Sequence, residues 1–142
     1  MKILIVEDER IIAEDINEAS DSYGHKITGI VSSAAEAFIS IRNELPDTIF
    51  IDIGLKGPMD GLEIARVIYE EYGIRAVFLT SFFQKIPANA HLIEPYAFLI
   101  KPVVHEEIVQ ALEKIMISKY GYYQNSKRWH KQETFYSKLL SI

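Results

Sequence analysis

The sequence predicts an α/β fold in which five parallel strands are covered on both faces by helices. Three observations carry that prediction. Short apolar runs recur at residues 3–6, 27–31, 48–52, 75–79 and 96–100. The segments between them place apolar residues at helical spacing, and such alternation gives a parallel sheet with right-handed crossovers. In the central run, Ile49-Phe50-Ile51 has no polar residue to alternate with, so it reads as a strand buried on both sides.

Taken in order, Ile3-Leu4-Ile5-Val6 is a buried strand that ends in Glu7-Asp8-Glu9. Ile12, Ile16, Ala19 and Tyr23 then form the stripe of an amphipathic helix that Gly24 ends. After the strand 27–31, Ser32 or Ser33 caps a second helix with Ala34, Phe38, Ile41 and Leu45 on one face, and Pro46 lies just beyond it. The third strand ends in Asp52. Asp60-Gly61 opens a third helix with Ala65, Ile68 and Tyr72 inward, closing near Gly73. Strand 75–79 is followed by Thr80-Ser81. Within 84–94, Pro87 suits the first turn of a short fourth helix, where its missing N–H is harmless. Strand 96–100 ends in Lys101-Pro102, and a fifth helix from about 105 to about 120 uses Ile108, Leu112 and Ile115.

The chain has 142 residues, enough for one domain with a core and a short appendage. It has no cysteine, which excludes disulfides, thiolate chemistry and zinc–thiolate sites. No apolar run approaches a membrane span and no signal-peptide pattern precedes the first strand, so a cytoplasmic protein without membrane attachment is the default. Residues 1–117 carry 10 basic against 19 acidic side chains, and residues 118–142 carry 5 against 1. The acidic body argues against direct nucleic-acid binding by the domain. In the tail, Tyr122, Trp129 and Tyr136 recur every seven residues, with Leu139 and Leu140 nearby. The expected organisation is a domain over 1–120 and a helical or flexible basic and aromatic tail over 121–142 that links to a further C-terminal domain.

Ligand sites in open α/β sheets lie outside the carboxyl ends of the strands. Here those ends bring several carboxylates, a hydroxyl and one ammonium: Glu7, Asp8 and Glu9; Asp52; Thr80; Lys101. Glu9 reads as part of a solvated turn, and the histidines (His25, His91, His105, His130) as surface residues. Crowded carboxylates suit a hard, oxygen-seeking divalent ion such as Mg²⁺, and the lack of His or Cys among them disfavours zinc. One carboxylate could also act as a nucleophile toward phosphorus.

Glu7-Asp8, Asp52, Thr80 and Lys101-Pro102, in this order and on these strand ends, resemble the receiver domain of two-component response regulators over residues 2 to about 118. The resemblance implies a flavodoxin-like (βα)5 fold with strand order 2-1-3-4-5. It implies Asp52 as phosphoacceptor for a sensor histidine kinase, and Mg²⁺ held by Asp8, Asp52 and the Gly54 backbone carbonyl, with Glu7 assisting through water. Thr80 would hydrogen-bond the phosphoryl group, Lys101 would pair with it, and Pro102 would follow a cis peptide bond. Phe98 matches the aromatic switch position but lacks a tyrosine hydroxyl, so burial would drive it. Gly54 and Phe82 would tune self-dephosphorylation. Partners would include a downstream or C-terminal effector and a homodimer through the fourth helix, fifth strand and fifth helix. The segment from Asp52 to Asp60 is one residue longer than the commonest receiver loop, a form that resembles receivers joined to sensor or kinase modules. Gln84 and Pro87 depart from the usual start of the fourth helix.

Such a domain is not an enzyme beyond its own phosphorylation and dephosphorylation. It would belong to a longer regulator or stand alone as a single-domain one. A phosphatase of small esters with an aspartyl-phosphate intermediate is less favoured, because haloacid-dehalogenase-like enzymes need an acid where this chain has Gly54. A flavodoxin-like cofactor binder is disfavoured because Glu7-Asp8-Glu9 would repel a phosphate at the first strand's loop.

Overall fold

The computed structural model describes residues 1–81 and 85–121. Its apolar runs pair as one parallel sheet: β1 (Lys2–Val6), β2 (Lys26–Val31), β3 (Thr48–Asp52), β4 (Ala76–Ser81) and β5 (Ala97–Lys101), in the order β2-β1-β3-β4-β5. Helices α1 (Arg10–Ser22), α2 (Ala34–Asn43), α3 (Gly61–Tyr72) and α4 (His105–Tyr120) and a 3-10 segment, Ala88–Ile93, provide the connections. None of the described helices is long and apolar enough to cross a membrane.

Side chains alternate across a strand, so the sheet feeds two separate cores. Leu4, Val6, Ile49, Ile51 and Phe78 face Ala37 and Ile41 of α2, Ile64, Ala65 and Ile68 of α3, and Ala90 and Ile93 of the 3-10 segment. Ile3, Ile5, Phe50, Val77 and Leu79 face Ala13, Ile16 and Ala19 of α1 and Ile108, Leu112 and Ile115 of α4. Every residue of β3 is buried, as a strand in the middle of a doubly covered sheet requires.

Helix starts follow their capping residues. The Ser33 hydroxyl accepts from the Glu36 N–H at 3.2 Å, and the Asp60 carboxylate accepts from the Glu63 N–H at 2.9 Å. α3 ends through a left-handed Gly73 (φ 67°). Arg75 fixes the entry into β5: its Nε donates to the Glu94 carbonyl, its Nη1 to Ser118 Oγ, and its guanidinium lies 4.0 Å over the Tyr96 ring.

Several expectations need correction. The segment expected as a fourth α-helix is a single 3-10 stretch, and Pro87 precedes its first turn in an extended conformation (φ −59°, ψ 140°). The fifth predicted helix is therefore α4. Leu45 is exposed, because α2 stops at Asn43 and Glu44 is already extended ahead of the Leu45-Pro46 pair. Tyr72 is also exposed: it lies in the last turn, beyond the buried stripe of Ile64, Ala65 and Ile68. Gln84 and residues 122–142, including His130 and the heptad-spaced aromatics, lie outside the described residues.

His25, read as a surface residue, is buried, and the N-terminal ammonium donates to its Nδ1 at 2.9 Å. Burial, reinforced by that adjacent cation, pushes the imidazole down to about 4. A histidine kept neutral in the fold charges first in the unfolded chain, so stability is complete above pH 6.5 and falls as the pH drops toward 4. Urea denaturation of wild type and His25→Asn at pH 7.5 and pH 4.5 should show roughly 2–3 kcal/mol more acid-induced loss for wild type. Equal losses would contradict a buried neutral imidazole.

Candidate functional site

In this strand order the crossovers reverse direction between β1 and β3, and the carboxyl ends of those strands flank a crevice. Register sets what meets there. Val6 pairs with Ile51, so Glu7, the next residue of the chain, comes beside Asp52 at the tip of β3. Ser81 pairs with Lys101, which places the lysine at the tip of β5, level with the end of β4.

The charged groups converge. One carboxylate oxygen from each of Glu7, Asp8 and Asp52 lies within 4.8 Å of the other two. Asp52 Oδ1 accepts from the Gly54 N–H at 2.9 Å and Oδ2 from Lys101 Nζ at 3.1 Å, which fixes the plane of the carboxylate. Nζ also lies 2.6 Å from Glu7 Oε1 and 3.0 Å from Glu9 Oε1. Glu9 thus belongs to the cluster and is not merely a solvated turn residue. Its N–H also donates to Glu7 Oε2 at 3.1 Å, and the start of α1 carries its carboxylate over the lysine.

Burial sets the electrostatics. Glu7 is pushed up to about 7 because it is removed from water and the Asp52 charge adds to the effect, while Lys101 and the Glu9 N–H work the other way. Burial also opposes the Lys101 charge, but its contacts with Glu7, Glu9 and Asp52 prevail and hold it above the ordinary lysine range. Glu7 Oε1, though close to Nζ, has no contact of hydrogen-bond geometry, and it is buried. Three carboxylates brought together, with no nitrogen or sulfur ligand beside them among the described residues, suit a small hard cation.

Thr80 is buried near the end of β4, with its hydroxyl donating to the Ser81 carbonyl at a long 3.3 Å. Phe98 is half-buried at mid-β5, away from the carboxylates. It stacks on Phe78 (centroids 5.5 Å apart, planes 17° apart) and meets His91 of the 3-10 segment at 5.1 Å. The Lys101–Pro102 peptide is cis. Phe82 lies outside the described residues.

Sequence reading recognised Gly61 only as a helix start, yet it sits against the site. A Cβ there would overlap the Asp52 carbonyl oxygen and stand 2.7 Å from its carbon, so the amino end of α3 packs directly on the backbone of β3's last residue. The Asp-Gly pair was the visible signal. For Glu9 there was none, since an acid after a strand is usually solvated.

Two outcomes follow from this packing. Gly61→Ala should displace the Asp52 turn and cost about 1–3 kcal/mol in urea denaturation. Lys101→Met leaves Glu7 and Asp52 without their cation and pushes Glu7 further upward. A carboxyl held above its unfolded value stabilises at low pH and loses that contribution as the pH rises. In the presence of a chelator the variant should therefore lose about 3 kcal/mol against wild type at pH 8 and clearly less at pH 5.5.

Comparisons with known proteins agree with this architecture. Residues 3–113 match the family model of the response regulator receiver domain. The positive alginate biosynthesis regulatory protein of Pseudomonas aeruginosa is 28% identical over 116 residues, which covers 80% of this chain and 46% of that protein. The phyllosphere-induced regulator PhyR of Methylorubrum extorquens is 29% identical over 71% of this chain and 38% of its own length. The chain thus spans less than half of these curated relatives. Among solved structures, the signal receiver domain of a modulated diguanylate cyclase from Desulfovibrio desulfuricans superposes with a TM-score of 0.72 at 27% identity, covering 83% of this chain and 94% of that one. The N-terminal domain of a response regulator/sensory box/GGDEF protein from Carboxydothermus hydrogenoformans gives 0.74 at 25%, covering 84% and 97%. With the fold, the strand-end acids and the family match in agreement, this chain belongs to the response regulator receiver domains of two-component systems.

Proposed function

We propose that the chain is a phosphorylation-switched module in which Asp52 accepts a phosphoryl group from a sensor histidine kinase. The observation that carries this reading is the Asp52 carboxylate itself: both oxygens are oriented, by the Gly54 N–H and by Lys101 Nζ, at the mouth of an acidic, oxygen-only cluster. Asp8, Asp52 and the Gly54 carbonyl would hold Mg²⁺, with Glu7 behind them. When bound, the ion neutralises charge on the phosphoryl oxygens and so removes the repulsion between two anions.

One Asp52 oxygen attacks the phosphorus of the donor phosphohistidine. The P–N bond breaks, its electron pair stays on the imidazole nitrogen, and an acyl phosphate forms on Asp52. Lys101 pairs with a phosphoryl oxygen and Thr80 donates its hydroxyl to another. Removal of the group by water reverses the modification, which limits the chain's chemistry to its own turnover.

The added charge favours whichever state places Thr80 and Lys101 closest to it, and so shifts an existing equilibrium. Phe98 is the candidate switch residue, since its ring bridges the β4 core at Phe78 and the surface segment at His91. The responding face comprises the 3-10 segment, β5 and α4. It carries a groove of about 710 Å³ bordered by His91, Tyr96, Phe98, Ile100, Gln110 and Lys114. A second copy of the chain or an effector would dock there. Because the matched relatives are more than twice as long as the segment they share with this chain, we assign residues 1–120 to the receiver unit and 121–142 to a connection toward an effector. A cytoplasmic location accords with a kinase partner of this kind.

Beryllofluoride, a phosphoryl mimic, should bind wild type with Mg²⁺ present, and binding should be lost with a chelator or in Asp52→Ala. Calorimetric titration checks this. Undiminished binding by Asp52→Ala would end the assignment.

A further inference from the structure

The ammonium of Lys101 has three carboxylate oxygens within 3.1 Å: it donates to Glu9 Oε1 and Asp52 Oδ2 and is ion-paired with Glu7 Oε1. Its close contacts are filled by these acids before any phosphoryl group arrives. A fourth acceptor has to displace one of the three. The exposures of these side chains differ sharply: Glu7 is 0% exposed, Asp52 9% and Glu9 61%. Releasing Glu7 would strand a buried charge, and Asp52 is the group being modified. Glu9 returns to water at little cost.

We propose that Glu9 is a built-in competitor for Lys101, occupying the ammonium in the unmodified protein and yielding it when a phosphoryl group binds. The inference rests on the phosphoacceptor reading of Asp52 and adds a residue that sets how readily the site accepts its anion. Two effects act in the same direction. Lys101 must exchange the Glu9 contact for the phosphoryl one, and the Glu9 charge repels an arriving anion. Glu9 thus acts through Lys101 as a positioning residue, and it lowers phosphoryl affinity without touching the reacting atoms.

The test is straightforward because the side chain supports nothing else visible. Glu9 occupies the N-cap of α1 with no side-chain capping bond, and the contact of its N–H with Glu7 belongs to the backbone. Beryllofluoride titrations with fixed Mg²⁺ compare wild type, Glu9→Gln and Glu14→Gln. The last removes the same charge from a residue paired with Arg10 rather than with Lys101. Glu9→Gln should bind about two- to fivefold more tightly, the size of an exposed ion pair. The gain should shrink as salt rises from low to 1 M, since the Debye length then falls to about 3 Å. Glu14→Gln should match wild type. Equal or weaker binding by Glu9→Gln, or the same gain in Glu14→Gln, overturns the competitor role while leaving the Asp52 reading intact. Failure of wild type to bind beryllofluoride at all sinks both.

Discussion

The constraint on which the site depends is the balance of one ammonium against the carboxylates at a largely buried sheet edge. Lys101 sits on β5 and Asp52 on β3, with β4 between them. At about 4.8 Å per strand the two backbones are roughly 10 Å apart, a span that a lysine and an aspartate bridge between them. The lysine must therefore cross the end of β4. That end is Thr80-Ser81, two small side chains, in register with Ile100 and Lys101. A bulky residue there would stand in the path of the ammonium. The small size of Ser81, the residue in register with Lys101, therefore leaves room for the ion pair.

Holding that reach constant needs β5 to be fixed along its own axis, and the anchor lies at the opposite edge of the sheet. Glu94, a non-glycine residue at φ 50°, turns the 3-10 segment toward β5. Arg75 accounts for that turn by bonding the Glu94 carbonyl and Ser118 while stacking on Tyr96. Tyr69 adds a bond from α3 to the Glu94 carboxylate. Arg75 and Tyr69 thus hold the amino end of β5, and Lys101 carries the charge at its other end. A change of charge at the site therefore acts on the strand that carries Phe98.

Much of this was legible in the sequence because burial and strand ends leave plain marks. The unbroken apolar runs located the strands, and asking which residues follow them found Glu7, Asp8, Asp52 and Lys101, whose charged groups the structure brings together. What stayed hidden depends on three-dimensional direction. Glu9 follows the same strand as Asp8, and nothing in its type or position says that the first turn of α1 swings it over Lys101. His25 looked like any loop histidine, because its burial comes from chain elements brought alongside it in space. Leu45 and Tyr72 had the right periodicity but lay at helix ends, where a sequence stripe continues past the surface that could cover it. The 3-10 segment had an apolar content that suits a helix, with no periodicity long enough to show its tighter winding.

The same geometry bounds how strong the switch can be on the proposed reading. Only contacts that differ between the two states shift their populations. Lys101 is engaged in both, first by carboxylates and then by a phosphoryl oxygen, so much of its energy cancels. The Thr80 hydroxyl would gain a bond to a charged phosphoryl oxygen, worth about 1.5–3 kcal/mol. That moves an equilibrium by roughly one to two orders of magnitude. A full reversal from 1:99 to 99:1 needs about 5.5 kcal/mol. The shortfall must come from elsewhere, and the groove along β5 and α4 is where a partner can supply it by binding one state better. Phosphorylation alone then leaves a mixed population, and the output is decided jointly by the charge on Asp52 and by whatever occupies the face around Phe98.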